Sequence, residues 1–198
     1  SVSGYSMVNK DTGAGIVSPA GSRVVLDGLY KYYGSQRDTA AVNDLSLTIK
    51  EKEIFALLGH NGAGKTTAIS IMTGMIPSTN YRTATLMGYD VDSQMNDIRK
   101  NIGSCPQFDV LFEDLSAAQH LDLFAALKGI GKEEHRGEEL LRKLKLPTTD
   151  QKSSTFSGGM KRRLSVANAL VGDSPVLFLD EPSSGLDPVS RRQLWELL

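Results

Sequence analysis

The sequence predicts an α/β fold, a core sheet with helices on both faces, a small antiparallel β part and a helical subdomain. Three observations predict it. A continuous apolar run, Ile54–Leu58, leads into a glycine-rich turn and then a helical pattern, Lys65–Ile76. A second apolar run, Val176–Leu179, ends in two acids, Asp180 and Glu181. Between the two halves, from about 112 to 165, apolar residues recur at helical spacing instead.

Each element has a local signature. The first 22 residues are rich in Ser and Gly and read as a flexible lead-in, with the domain proper at 23–198. Val24–Leu29 and Ala41–Ile49 read as short strands around a polar turn at Gly34–Asp38. Ile54–Leu58 reads as a strand buried on both faces. The helix after it is apolar on nearly all sides, and Pro77 ends it. Thr83–Met87 is a further strand. Ser116–Lys128 and Glu133–Leu146 read as amphipathic helices, the first through Leu121, Phe124, Ala125 and Lys128, the second through Leu140, Leu141 and Leu144. Ser157–Val171 is a helix with Met160, Leu164, Ala167 and Val171 on one face, and Val176–Leu179 is a second buried strand. Asp187 followed by Pro188 is a helix start, with Asp as N-cap and Pro at the first helical position.

Composition removes several function classes. The chain has 198 residues, 40% hydrophobic and 23% charged, as in ordinary globular domains. A formal net charge of -1 gives no basic footprint, so no nucleic-acid partner is expected. Lys161, Arg162 and Arg163 form a local basic run, read as a solvated helix face in preference to an RNA site. Cys105 is the one cysteine; it forms no internal disulfide, and a small buried residue is favoured over a reactive thiol. A reducing compartment is the simplest reading. No apolar run reaches the roughly 18–20 residues of a membrane span, and the N-terminal segment has no signal-peptide pattern.

The chemistry concentrates in three motifs. Gly59-His60-Asn61-Gly62-Ala63-Gly64-Lys65-Thr66 fits G-x-x-x-x-G-K-[ST], the phosphate-binding P-loop. Its glycines let backbone N–H groups turn toward one point and let phosphate oxygens approach. The following helix adds its positive end, Lys65 a point charge, and Thr66 a hydroxyl for Mg²⁺. Asp180 would hold the metal, and Glu181 would orient or deprotonate the attacking water. Ser157-Gly158-Gly159 opens a helix and offers a second phosphate-binding end. One pocket cannot readily use both ends across a helical insertion; a head-to-tail pair of modules can.

Together these motifs resemble the nucleotide-binding domain of ABC transporters over about Val24 to Leu198. GHNGAGKTT is similar to the family's Walker A motif, extending the loop to Thr67, and VLFLDEP to its Walker B motif. FSGGMKRRLSVANAL resembles the ABC signature, with Phe156 in place of the usual Leu. Ser183–Pro188 resembles the D-loop, in which Asp187 reaches across a dimer; Ser183 stands where Thr is common. Gln107 falls where the Q-loop glutamine senses Mg²⁺ and the transmembrane partner. Tyr33 falls where an aromatic stacks on adenine, with Tyr30 and Tyr32 as competitors. The stretch Pro77–Arg82 lacks the glycine that usually opens the next strand. GHNGAGKTT, the run after Cys105, Met160 and PVSRRQLWELL resemble the A subfamily, whose members commonly move lipids or other amphiphiles.

The resemblance implies an ATP- and Mg²⁺-dependent ATPase on the cytoplasmic face of a membrane, paired with a second nucleotide-binding domain and with transmembrane domains. A soluble ABC ATPase acting on ribosomes is the alternative. Neither the long coiled coils of chromosome-structuring ATPases nor the losses of a degenerate module are evident. The family's switch histidine lies on a strand after the D-loop helix, whereas His60, His120 and His135 all precede the signature. The chain therefore reads as a C-terminally truncated piece, expected to be marginally stable and to hydrolyse ATP poorly by itself.

Overall fold

The computed structural model describes residues 21–34 and 39–197. Most of the lead-in and most of the expected polar turn at Gly34–Asp38 lie outside the described residues. Two strands, β1 (Ser22–Tyr32) and β2 (Ala40–Lys50), pair antiparallel, with Leu26 opposite Leu47 and Tyr32 opposite Ala40. β3 (Thr83–Leu86) adds to the other edge of β1, and β4 (Tyr89–Asp90) extends the sheet to the order β2-β1-β3-β4. Apolar burial drives the pairing: Val24, Leu26 and Leu29 of β1 share one core with Ala84 and Leu86 of β3. The stretch before β3 runs beside β1 without a glycine turn, since Tyr30 donates its N–H to the Asn80 carbonyl at 2.7 Å.

Helix α1 (Lys65–Met72) packs Ala68, Ile71 and Met72 onto this sheet. It ends four residues before the expected Ile76. Gly74 adopts a left-handed φ of 72°, and the Met75 N–H reaches back to the Ser70 carbonyl at 2.8 Å. That is a Schellman stop, and apolar spacing alone does not reveal it. α2 (Met95–Lys100) follows, then β5 (Ile102–Cys105).

A second core is helical. It joins α3 (Ala117–Leu127), α4 (Gly137–Lys143) and α5 (Gly158–Leu170) through Leu121, Ala125, Leu141, Leu144, Leu164 and Ala167. The Ser116 side chain caps α3 in a full capping box with Gln119. Helix α4 is shorter than the expected 133–146. Its start is delayed because His135 takes the Gly137 N–H and pairs with Asp122 of α3 at 3.0 Å. Its end is a Schellman stop with Lys145 left-handed at φ 52°.

Strand β6 (Val176–Leu179) pairs parallel with β5 in a separate two-stranded sheet, Cys105 opposite Leu179. Its side chains are half-buried except for buried Phe178, so burial on both faces is only partly met. Phe178 and Ile102 reach the first core, whereas Cys105 belongs to the second, so this short ladder joins the two. Helix α5 lies directly on β5. A Cβ on Gly103 would overlap the Ala169 carbonyl oxygen of α5. Helix α6 (Pro188–Leu197) closes the described chain.

One expected strand is absent. Ile54–Leu58 forms no ladder with any described strand, and Ile54 and Leu58 are 86% and 87% exposed. The run has the composition of a buried strand, but burial is supplied by neighbouring strands, and none flanks it among the described residues. Only Leu57 packs against the first core.

The close approach at residue 103 makes a direct prediction. Gly103→Ala should destabilise the fold by about 1–3 kcal/mol through overpacking. Urea denaturation of the full-length protein, followed by a probe in this domain, reads that loss.

Candidate functional site

The glycine-rich turn between Ile54–Leu58 and α1 is built by its own backbone. Gly62 and Gly64 have φ of 83° and 85°, in the left-handed region glycine occupies without strain. The Ala63 N–H closes a turn onto the His60 carbonyl at 3.1 Å. Gly64 stands at the N-cap of α1, which has no side-chain cap. The N–H groups at the helix start are thereby free to meet an anion. The Lys65 ammonium folds back over the turn and donates to the carbonyls of Gly59 at 2.7 Å and His60 at 3.0 Å. Gly59, Asn61, Gly62, Ala63 and Thr66 are exposed, and Gly64, Lys65 and Thr67 are half-buried. The turn is seated on β2, because a Cβ on Gly64 would overlap the Ala41 carbonyl oxygen.

Tyr33 follows β1 at the same end of the β1–β2 hairpin. It is 58% exposed, with the Lys31 ammonium 5.4 Å from its ring centroid. Tyr30 and Tyr32 instead stack on each other at 6.4 Å. Of the three competing tyrosines, Tyr33 has the most open ring.

The β5–β6 ladder brings Gln107, Asp180 and Glu181 together. The Asp180 N–H continues the ladder onto the Cys105 carbonyl at 2.9 Å, so both strands end side by side. Asp180 is buried, while Glu181 and Gln107 are exposed. Glu181 carries a φ of 49°, a conformation that costs a non-glycine residue about 1–2 kcal/mol. Among the described residues no group of three His, Cys, Asp or Glu forms a metal cage. Thr66, Gln107 and Asp180 carry a hydroxyl, an amide and a carboxylate, oxygen donors of the types that Mg²⁺ accepts when phosphates complete its shell.

Arg162 corrects the expectation of a solvated basic face. Its side chain leaves α5 and is buried, 3% exposed, between the ends of β5 and β6. It donates to the carbonyls of Pro106, Gln107, Asp180, Glu181 and Pro182 and to the Asp109 carboxylate, at 2.7–3.2 Å. Arg163 is half-buried and donates to the Ser190 hydroxyl at 2.9 Å. Sequence reasoning missed Arg162 because a charged residue in a basic run reads as exposed. Its place three and four residues before buried Ser165 and Val166, on a helix buried along most of its length, was the available signal.

The second helix start is also formed. Ser157 caps α5 by accepting the Met160 N–H at 3.3 Å; Ser157 and Gly158 are exposed and Gly159 half-buried. Gly158 has open space where a Cβ would stand. Phe156, the departure in the signature, is buried in the helical core. Asp187 caps α6, accepting the N–H groups of Val189 and Ser190 at 3.0 Å each. Ser190, through its side chain and its amide, holds the Asp187 carboxyl below the usual carboxylate range.

Two buried groups stabilise the chain around Gln107. Burial pushes the Cys105 thiol up to about 11, so it is inert at neutral pH, as the sequence favoured. His120 is fully buried, and its Nε2 accepts the Phe112 N–H at 2.9 Å. Its Nδ1 therefore carries the proton and donates to the Ser116 carbonyl at 2.8 Å. Desolvation lowers the His120 pKa, outweighing the Ser116 contact. The unfolded chain then binds more protons below about pH 6.5, so stability is complete above that value and falls toward the lower folded pKa. Thermal unfolding from pH 7 to pH 5 should show this loss, and His120→Asn should flatten the slope over that window. Alkylation of Cys105 by iodoacetamide should be slow in the native protein and rise sharply on unfolding.

A P-loop seated on an antiparallel sheet, a strand ending in Asp-Glu and a Ser-Gly-Gly helix start on a helical subdomain define a nucleotide-binding cassette. Residues 42–184 match the ABC transporter family, and the chain belongs to that family. It is 45% identical to ATP-binding cassette sub-family A member 2 of Rattus norvegicus, over 88% of this chain and 7% of that protein. It is 47% identical to the human (Homo sapiens) phospholipid-transporting ATPase ABCA3, over 82% of this chain and 10% of that protein. The chain thus spans a tenth or less of the length of these relatives. Among solved structures it is similar to the ATP-binding subunit of an ABC transporter, with a TM-score of 0.76, 28% identity, and 87% and 72% of the two chains covered. It also matches the dimeric post-hydrolysis state of the ATP-binding cassette MJ0796 bound to ADP and Pi. That TM-score is 0.78, at 25% identity over 88% and 80% of the two chains.

Proposed function

We propose that this domain binds ATP with Mg²⁺ and hydrolyses it as the engine of an A-type ABC exporter of lipids or amphiphiles. The observation that carries the reading is the P-loop, where free N–H groups at the start of α1 and the Lys65 ammonium converge on one exposed turn. Lys65 exchanges its two carbonyl contacts for the outer phosphates. Tyr33 offers an open ring to adenine. Thr66, Gln107 and Asp180 would hold Mg²⁺, which when bound neutralises charge on the phosphates. Glu181, exposed beside buried Asp180, orients or deprotonates the attacking water.

Ser157 and Gly158 are exposed in the single domain and Gly159 is half-buried against Leu186, whose neighbour Asp187 is exposed. A second cassette in head-to-tail arrangement gives both a partner, and the dimeric solved structure supports pairing of two cassettes. The relative named a phospholipid-transporting ATPase supports a lipid cargo; a place at the cytoplasmic face of a membrane, with transmembrane domains as the driven partner, is part of the same proposal. No described helix is long and apolar enough to cross a membrane.

The test uses the full-length protein in lipid vesicles. Lys65→Ala should weaken binding of a fluorescent ATP analogue by roughly tenfold or more, as loss of a charge-assisted phosphate contact does. Glu181→Gln should bind the analogue like wild type and lose turnover by roughly 10²–10⁴-fold. Equal loss of binding in both variants contradicts these separate roles.

A further inference from the structure

We propose that Arg162 is a positioning residue for hydrolysis, holding Glu181 and Gln107 in one fixed frame with the Ser157 helix start; this rests on the ATPase reading above. One guanidinium has five N–H donors. Here they meet six acceptors. Nε donates to the Pro182 carbonyl at 3.1 Å. Nη2 donates to the carbonyls of Asp180 and Glu181, each at 2.8 Å. Nη1 donates to the Pro106 carbonyl at 2.7 Å, the Gln107 carbonyl at 3.2 Å and the Asp109 carboxylate at 3.1 Å. One fork therefore grips three consecutive carbonyls after β6 and two after β5.

Stability alone does not call for an arginine here. Burying a guanidinium carries a large desolvation cost before its partners compensate, and an apolar side chain of similar volume is often as good. What the arginine adds is direction. A planar fork sets the orientation of every carbonyl it holds, which a lysine or a methionine cannot do. The held segment includes Glu181 at its strained φ of 49°, a conformation that persists only where the surroundings over-determine it. The Arg162 contacts on the carbonyls at 180, 181 and 182 supply that determination from both sides of the strained residue.

The same side chain is rooted in α5, little more than a turn beyond Ser157, and α5 is locked to β5 by the contact at Gly103. A tilt of α5 therefore carries the Glu181 and Gln107 backbones with it. Arg162 touches neither nucleotide nor water in this scheme and acts through Glu181 and Gln107.

Steady-state ATPase assays and fluorescent-ATP binding on the full-length protein in lipid vesicles test the idea, with wild type, Arg162→Lys, Arg162→Met and Asp109→Asn compared. The expected result is a split. Binding and KM stay within about threefold of wild type, while kcat falls by roughly ten- to hundredfold in both Arg162 variants, as for a small misplacement of a reacting group. Asp109→Asn keeps the carbonyl contacts and loses only the charged partner, so kcat should fall by about threefold at unchanged KM. Melting temperatures identify any variant that fails to fold, and Asp109→Asn then decides. Wild-type kcat in a folded Arg162→Met protein, or in Asp109→Asn when Arg162→Met does not fold, overturns the inference alone. A wild-type protein that hydrolyses no ATP overturns the ATPase reading and this inference with it.

Discussion

The absence of a side chain at residue 103 is the constraint on which the rest of the second half depends. With only hydrogen there, α5 lies on β5 at backbone distance, next to the Ala169 carbonyl. That approach aims the first turns of α5 at the ends of β5 and β6. It delivers the Arg162 guanidinium into the gap between them and leaves the Ser157 helix start at the surface. A bulkier residue would lift the helix, and every contact of Arg162 would lengthen together.

The first half obeys a separate constraint. The P-loop rests on β2 through Gly64 and Ala41, and its helix buries Ala68, Ile71 and Met72 against the antiparallel sheet. The helical core never shares these residues. Phe178 and Ile102 face one core and Cys105 the other, so the short β5–β6 ladder is where the phosphate-binding turn and the acidic strand end are referred to one another. The proposed site thus sits where the two apolar clusters meet.

Much of this was legible in the sequence wherever a residue acts on its own neighbours. Ser116, Ser157 and Asp187 were readable as helix starts because a capping side chain bonds N–H groups two or three residues on. The P-loop was readable for the same local reason. Helix ends were less so: α1 and α4 stop at Gly74 and Lys145, where backbone handedness overrides an apolar pattern that runs on. Ile54–Leu58 was misread because apolar composition records a preference for burial, and burial needs strands alongside. Arg162 was misread for the converse reason. Its six partners come from two separate stretches of chain, 106–109 and 180–182, and no window of sequence contains them.

The handedness at Glu181 sets fold stability against chemistry. A glycine there would remove a strain of about 1–2 kcal/mol and, with it, the carboxylate. Glutamate and glycine codons differ by a single nucleotide. The most accessible stabilising change at this position is thus also one that, on the role proposed for Glu181, leaves a cassette able to hold ATP and unable to spend it. On that proposal, drift toward a sturdier fold would be drift toward a silent engine.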